Sequence, residues 1–204
     1  MNVCVLAFAA LLGTSPGAVW TDLTEEVLVR PDAPDLLGTG PTHLYVGEAG
    51  ELLVYAAVEA EVLRLDGKGR VASRVPARPP EQAKSRGYEI RKSGSHEGVV
   101  EKTFRSRVRW TITTEAELGA LHLAGIDRKG RLYVVAEELL SRSPVRVRRT
   151  VHLLAREGGE LRRWELPPPS PIRVEKEWAV APEGRFLLLQ VSTEQVRVLS
   201  WGQP

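Results

Sequence analysis

The chain has 204 residues, 43% of them apolar, enough for one β domain or two small domains with a sizeable core. Its 28 basic and 26 acidic residues are interspersed and leave a formal charge of +2, so no nucleic-acid partner is indicated. A single cysteine, Cys4, excludes an internal disulfide framework, and the histidines (His43, His96, His122, His152) stand too far apart for metal-ligand spacing.

Residues 3–12 (V-C-V-L-A-F-A-A-L-L) form the one long apolar run. It is too short to span a bilayer as a helix, so no transmembrane helix is expected in the mature chain. Followed by G-T-S-P-G-A, it fits the apolar centre of a secretory signal over residues 1–20, although no Lys or Arg precedes it. This implies an extracytoplasmic protein, periplasmic or secreted. The competing readings are a buried first element or a start inside a longer frame.

Residues 21–204 read as one β domain. Val27–Arg30 makes a short strand that Pro31 ends. Pro31–Pro41 is a loop rich in Pro, Gly and Asp. Four strands follow in 42–76, with a tight hairpin at Asp66-Gly67-Lys68-Gly69. Pro76–Pro80 then interrupts any ladder. Strands at 87–92, 99–104 and 108–113 come next. In the last of these Val108, Trp110 and Ile112 share one face, with Arg107, Arg109 and Thr111 on the other. Residues 120–167 give another four strands, closed by the Pro167–Pro171 cluster. Residues 177–201 give only three. The unpartnered early strand is therefore expected beside residues 195–201, where it hides two edges. The arginine clusters (Arg105, Arg107, Arg109; Arg146, Arg148, Arg149) alternate with apolar residues or lie in strand-like runs, and read as solvated strand faces.

One figure recurs, a polar turn ending in glycine and then an apolar strand. It stands at V-G-E-A-G-E-L-L-V-Y (46–55), I-D-R-K-G-R-L-Y-V-V (126–135) and V-A-P-E-G-R-F-L-L-L (180–189). Gly87, before Tyr88 and Ile90, marks a degenerate copy. Gly50, Gly87, Gly130 and Gly184 recur at about blade-sized intervals. The expectation is an all-β, β-propeller-like fold of about four blade-like antiparallel sheets, as a closed four-bladed ring or part of a larger propeller. The motif D-R-K-G-R-L-Y-V-V with L-L-A-R-E-G-G-E-L-R-R-W-E-L-P resembles blades of NHL-like and related bacterial β-propellers. W-A-V-A-P-E-G-R-F-L-L-L with V-R-V-L-S-W looks like their closing blade. The resemblance implies a fold often used for binding and transfers no active site; relatives commonly carry more blades.

No catalytic residues, metal site or cofactor are indicated. No G-x-S-x-G elbow or phosphate-binding glycine loop is present. The neighbouring carboxylates Glu25-Glu26 and Glu137-Glu138 alternate across a strand, and neither pair can flank a bond as two carboxylates on one cleft do. The candidate ligand-binding residues are Glu48, Asp127 and Glu183, at one mouth of a central channel. Their competing role is to fasten their own turns. Trp110, Trp164, Trp178 and Trp201 are expected between sheets; with Trp20 they could instead form an exposed aromatic patch. The first functional reading is a non-enzymatic extracytoplasmic binding or scaffold module with a protein partner. The alternatives are a propeller enzyme or ligand-binding protein with carboxylates at the channel mouth, and a truncated fragment of a larger propeller. The sequence leaves the oligomeric state open.

Overall fold

A computed structural model describes residues 25–28, 38–47, 49–66, 69–78, 87–103 and 108–202. Cys4, Trp20, the apolar run at 3–12, Glu48, Arg105 and Arg107 lie outside the described residues. The described chain is all-β, without a helix, and falls into four antiparallel sheets. No described helix is long and apolar enough to cross a membrane.

The first sheet holds β2 (Pro41–Val46), β3 (Leu52–Ala56), β4 (Glu61–Leu65) and β5 (Val71–Pro76) in chain order. The second holds β6 (Tyr88–Lys92), β7 (Glu97–Lys102) and β8 (Arg109–Thr113). The third holds β9 (Glu117–Ile126), β10 (Leu132–Arg142), β11 (Val145–Leu154) and β12 (Glu160–Leu166). The fourth holds β13 (Trp178–Val180), β14 (Phe186–Val191) and β15 (Val196–Trp201), and its outer strand is β1 (Glu25–Leu28). β1 runs antiparallel to β15 with Glu25 opposite Ser200 and Leu28 opposite Arg197. The expected juxtaposition of the chain's two ends is present, with the early strand starting two residues ahead of the expected Val27.

The repeat glycines set this arrangement. Gly50, Gly87, Gly130 and Gly184 all have positive φ, from 76° to 105°, where a side chain is strained. Gly50, Gly130 and Gly184 each turn the chain into the second strand of their unit in chain order, and Gly87 stands just before β6. The residues just before Gly87 lie outside the description.

Alternation on each strand supplies two apolar faces, and three cores fill the seams between sheets. Leu44, Val54, Leu63, Leu187, Leu189 and Val198 join the first and fourth sheets. Tyr133, Val135, Trp164, Phe186, Leu188 and Trp201 join the third and fourth. Val100, Trp110, Ile112, Leu132, Val134 and Leu154 join the second and third. Val108 and Ile112 share the face of Trp110, as the alternation requires. The tryptophans of the described sheets lie in these cores or pack against them, Trp178 partly buried. They do not form an exposed patch.

No core joins the first and second sheets among the described residues, so the expected closed ring is not found. The outer face of the second sheet presents Glu89, Glu101 and Arg109, paired across strands. The free face of the first presents Val62 and Val75 beside Arg64. On the second sheet's face Glu101 meets Arg91 and Arg109.

Polar contacts tie the filled seams. The Trp110 indole donates to Ala155 O at 2.7 Å, from the second sheet to the third. The Tyr133 hydroxyl donates to Gly184 O at 2.6 Å, and burial pushes its pKa up to about 12. Buried Arg149 meets Glu177 at 2.5 Å. Trp110→Phe keeps most of the ring and loses one donor while Gly158 N still donates to Ala155 O at 3.2 Å, so urea unfolding should show a loss of about 0.5–1.5 kcal/mol, the net contribution of one hydrogen bond. No loss would mean that the Gly158 bond alone satisfies the carbonyl.

Candidate functional site

The tight turns after the first strands of three units meet at one end of the molecule. Arg128 N donates to Pro182 O at 3.0 Å, joining the third and fourth units. A Cβ at Gly50 would lie 3.8 Å from Glu183 Oε2, which places the first unit's turn beside them. The structure thus brings the turns of Asp127 and Glu183 together; Glu48 is outside the description.

Their chemistry is local. Asp127 Oδ1 accepts from Lys129 N at 2.9 Å and Arg131 N at 3.0 Å, and Oδ2 accepts from Arg131 Nε at 2.6 Å. Its carboxylate is fully buried. Glu183 Oε1 accepts from Arg185 Nε at 2.9 Å. Each carboxylate is neutralised by an arginine of its own turn, and Asp127 fastens that turn as aspartate commonly does. Asp66 and Arg70 repeat the device on the same end of the first sheet. No group of three metal-ligating side chains occurs among the described residues.

A second cluster was not foreseen from the sequence. Leu44 and Val46 point β2 into the core with the fourth sheet, so His43 and Tyr45 occupy its other face. Tyr55 lies directly across from His43 in the ladder. The His43 and Tyr45 rings stack at 5.9 Å, and Tyr55 meets His43 edge-on at 5.7 Å. The segment before β13 runs beside β2, with Leu44 N donating to Lys176 O at 2.8 Å. It places Lys176 Nζ 4.0 Å from the Tyr45 ring centre and Glu175 3.4 Å from His43 Nε2. The H-x-Y alternation at 43–45 is the available signal for the rings. Nothing local marks Lys176 as their partner.

Burial governs the protonation of this cluster. It lowers the His43 pKa, with Glu175 opposing and Lys176 reinforcing. Burial also lowers the Lys176 pKa. Tyr45 is pushed up to about 12 by burial, with Glu175 and Tyr55 adding. The aromatic wall holds a cation through its ring faces, and that cation belongs to the chain itself.

The His43 shift has a testable sign. Its folded pKa lies below the unfolded 6.5, so the unfolded chain binds more protons between the two values. The contribution to stability is complete above pH 6.5 and is lost as the pH falls through the folded value. An NMR titration should find His43 mostly neutral at pH 6.5, and His43→Gln should flatten unfolding free energy against pH below that point. A midpoint above 6.5 would show that Glu175 governs the ring instead.

The other histidines do not converge on this cluster. His152 Nδ1 lies 2.7 Å from Glu160, and the His122 ring packs 5.7 Å from Trp178. Two open concavities are polar. One, of about 340 Å³, is bounded by Glu89, Glu101, Lys102 and Arg109. The other, of about 300 Å³, lies along the Pro169–Val174 crossing.

No family model matches the chain, and no curated protein matches it. Among solved structures, a streptogramin B lyase is similar at 10% identity, over 88% of this chain and 72% of that one, with a TM-score of 0.21. The virginiamycin B lyase from Staphylococcus aureus is similar at 8% identity, over 88% and 74%, with a TM-score of 0.22. At this level the lyase chemistry stays with those proteins, and the blade-like architecture here rests on strand pairing and packing.

Proposed function

We propose that the chain is a non-enzymatic binding module that works outside the cytoplasm through one end of its sheets. The observation that supports this is the contrast between the two ends. The turn end carries self-neutralised acid–arginine pairs. The opposite end carries exposed Val58, Val75, Leu140, Val145, Val147 and Ile172. Among the described residues, the large apolar side chains exposed on the turn end are only Ile126 and Leu161, so the greater share of exposed apolar side chains lies on the opposite end and favours a protein partner there. The extracytoplasmic placement draws on residues 3–12.

The test is site-specific photo-crosslinking in the native host. Probes at Val58 and Leu140 should give adducts, while probes at Lys129 and Arg156 on the turn end should not. The reverse pattern would move the working surface to the turns. Fractionation beside it should find the mature chain outside the cytoplasm; a full-length cytoplasmic species would remove that placement. The meeting of the Asp127 and Glu183 turns favours the second reading, a ligand site at the channel mouth. Ligand binding or turnover abolished by Glu183→Gln in a folded variant would establish it.

A further inference from the structure

The third sheet is longer than its outer strand. β12 accompanies β11 only as far as Leu166, which lies opposite Arg149. Pro167 then leads the chain away, its carbonyl held by Arg149 Nη2 at 3.0 Å. β11 continues outward through Arg148, Val147, Arg146 and Val145, paired with β10 on one side only. Among the described residues no backbone hydrogen bond reaches the other side of Val145–Val147. The result is a slot one strand wide, directly in line with β12.

We infer that this slot accepts an extended segment of a partner protein as an added strand, with an apolar–acidic–apolar alternation. The inference rests on the binding-module reading and specifies its contact. The side chains along the slot set the partner's chemistry. Val145 is 71% and Val147 is 37% exposed, both on the face that Arg149 shares. Arg146 lies between them on the opposite face and has no ion-pair partner among the described residues. Neighbouring Arg148 is already held by Glu138 and Glu115. A strand laid alongside sets one residue opposite each of these, so apolar residues meet the valines and a carboxylate meets Arg146.

A second copy of the chain does not fit. Antiparallel pairing of this edge with itself puts Arg146 opposite Arg146 where both valines meet valines, and opposite Arg148 two residues further on; a shift of two residues the other way keeps only the Val145 pair. The intermediate register sets valine against arginine on both faces. Like charges directly opposite destabilise a ladder. The arginine thus protects the open edge from self-pairing while recruiting an acidic strand.

The test uses the full chain and a fluorescein-labelled, end-capped peptide built on Thr-Val-Glu-Val-Thr. Anisotropy should rise saturably, and Arg146→Glu should weaken binding roughly tenfold, the effect of turning an attractive cross-strand pair repulsive. The Arg146→Glu chain should prefer a second peptide in which lysine replaces the central glutamate. A peptide with every amide N-methylated should not bind. Equal binding of the methylated peptide would overturn strand addition, and equal binding of both charge forms would overturn the role of Arg146. Absence of peptide binding while Val58 and Leu140 probes still give adducts would sink this inference and leave the binding-module reading standing.

Discussion

Glu138→Ala should destabilise the folded chain by about 3–5 kcal/mol, the usual cost of breaking a buried charge pair from one side. The Glu138 side chain is 5% exposed and collects four donors. Glu115 N and Ala116 N donate to Oε2 at 3.0 Å each. Arg148 adds Nε to Oε1 at 3.1 Å and Nη2 to Oε2 at 2.8 Å. One carboxylate therefore fixes the β8–β9 turn and anchors the outgoing part of β11. Truncation strands two backbone N–H groups and leaves Arg148 only the exposed Glu115, whose side chain is 75% accessible. Glu115→Ala should stay within about 0.5 kcal/mol. Urea unfolding of both variants separates the roles; equal losses would mean that the turn is held by Glu115. Burial acts to raise the Glu138 pKa, but the Arg148 and backbone hydrogen bonds outweigh it and hold the carboxyl below 4.5. Its stabilisation is present above that pH and is lost as the pH falls through the lower folded value. Glu138→Gln should remove that share of the acid dependence.

Gly184→Ala should cost about 3–4 kcal/mol, a Tm drop of roughly 6–16 °C for a chain of this size. Two effects combine. The residue has φ of 105°, which a side chain resists. A Cβ there would also collide with the Arg131 guanidinium and come within 3.1 Å of Asp127 Oδ2. Arg131 would have to leave the carboxylate it shares with the turn. Gly158→Ala is the control, because Gly158 has φ of 120° with nothing within 4 Å of the added carbon. It should lose about 1–2 kcal/mol, the conformational contribution alone. If the two variants melt together, the arginine yields freely and the contact between units contributes little.

These glycines show why much of the fold is legible in the sequence. A polar turn and a positive-φ glycine are local requirements, so even the degenerate copy at Gly87 can be found. Counting edges assigns the orphan early strand its place, and β1 lies there. The proline clusters mark real exits from strands. The site is less legible because its geometry is non-local. Glu137-Glu138 reads as an ordinary acidic pair, and only the fold brings the 115–116 turn to Glu138. Lys176 meets Tyr45 because the crossing before β13 runs beside β2, which no spacing announces. Asp127 is the legible exception: it reads as a turn former and is one, and its partner Arg131 stands at the same spacing as Arg70 from Asp66.

The β1–β15 ladder has a mechanical consequence. Glu25 opposite Ser200 puts the outer ends of both strands on the same side of the sheet. Opposed forces applied at these two strand ends would therefore pull from adjacent points. The pairs would separate in succession from Glu25 inward, as a zipper opens, instead of resisting together in shear. Such a ladder yields at low force and leaves β15 edge-exposed while the three cores stay packed. The junction of the two ends is the place where tension would first change the surface this protein presents.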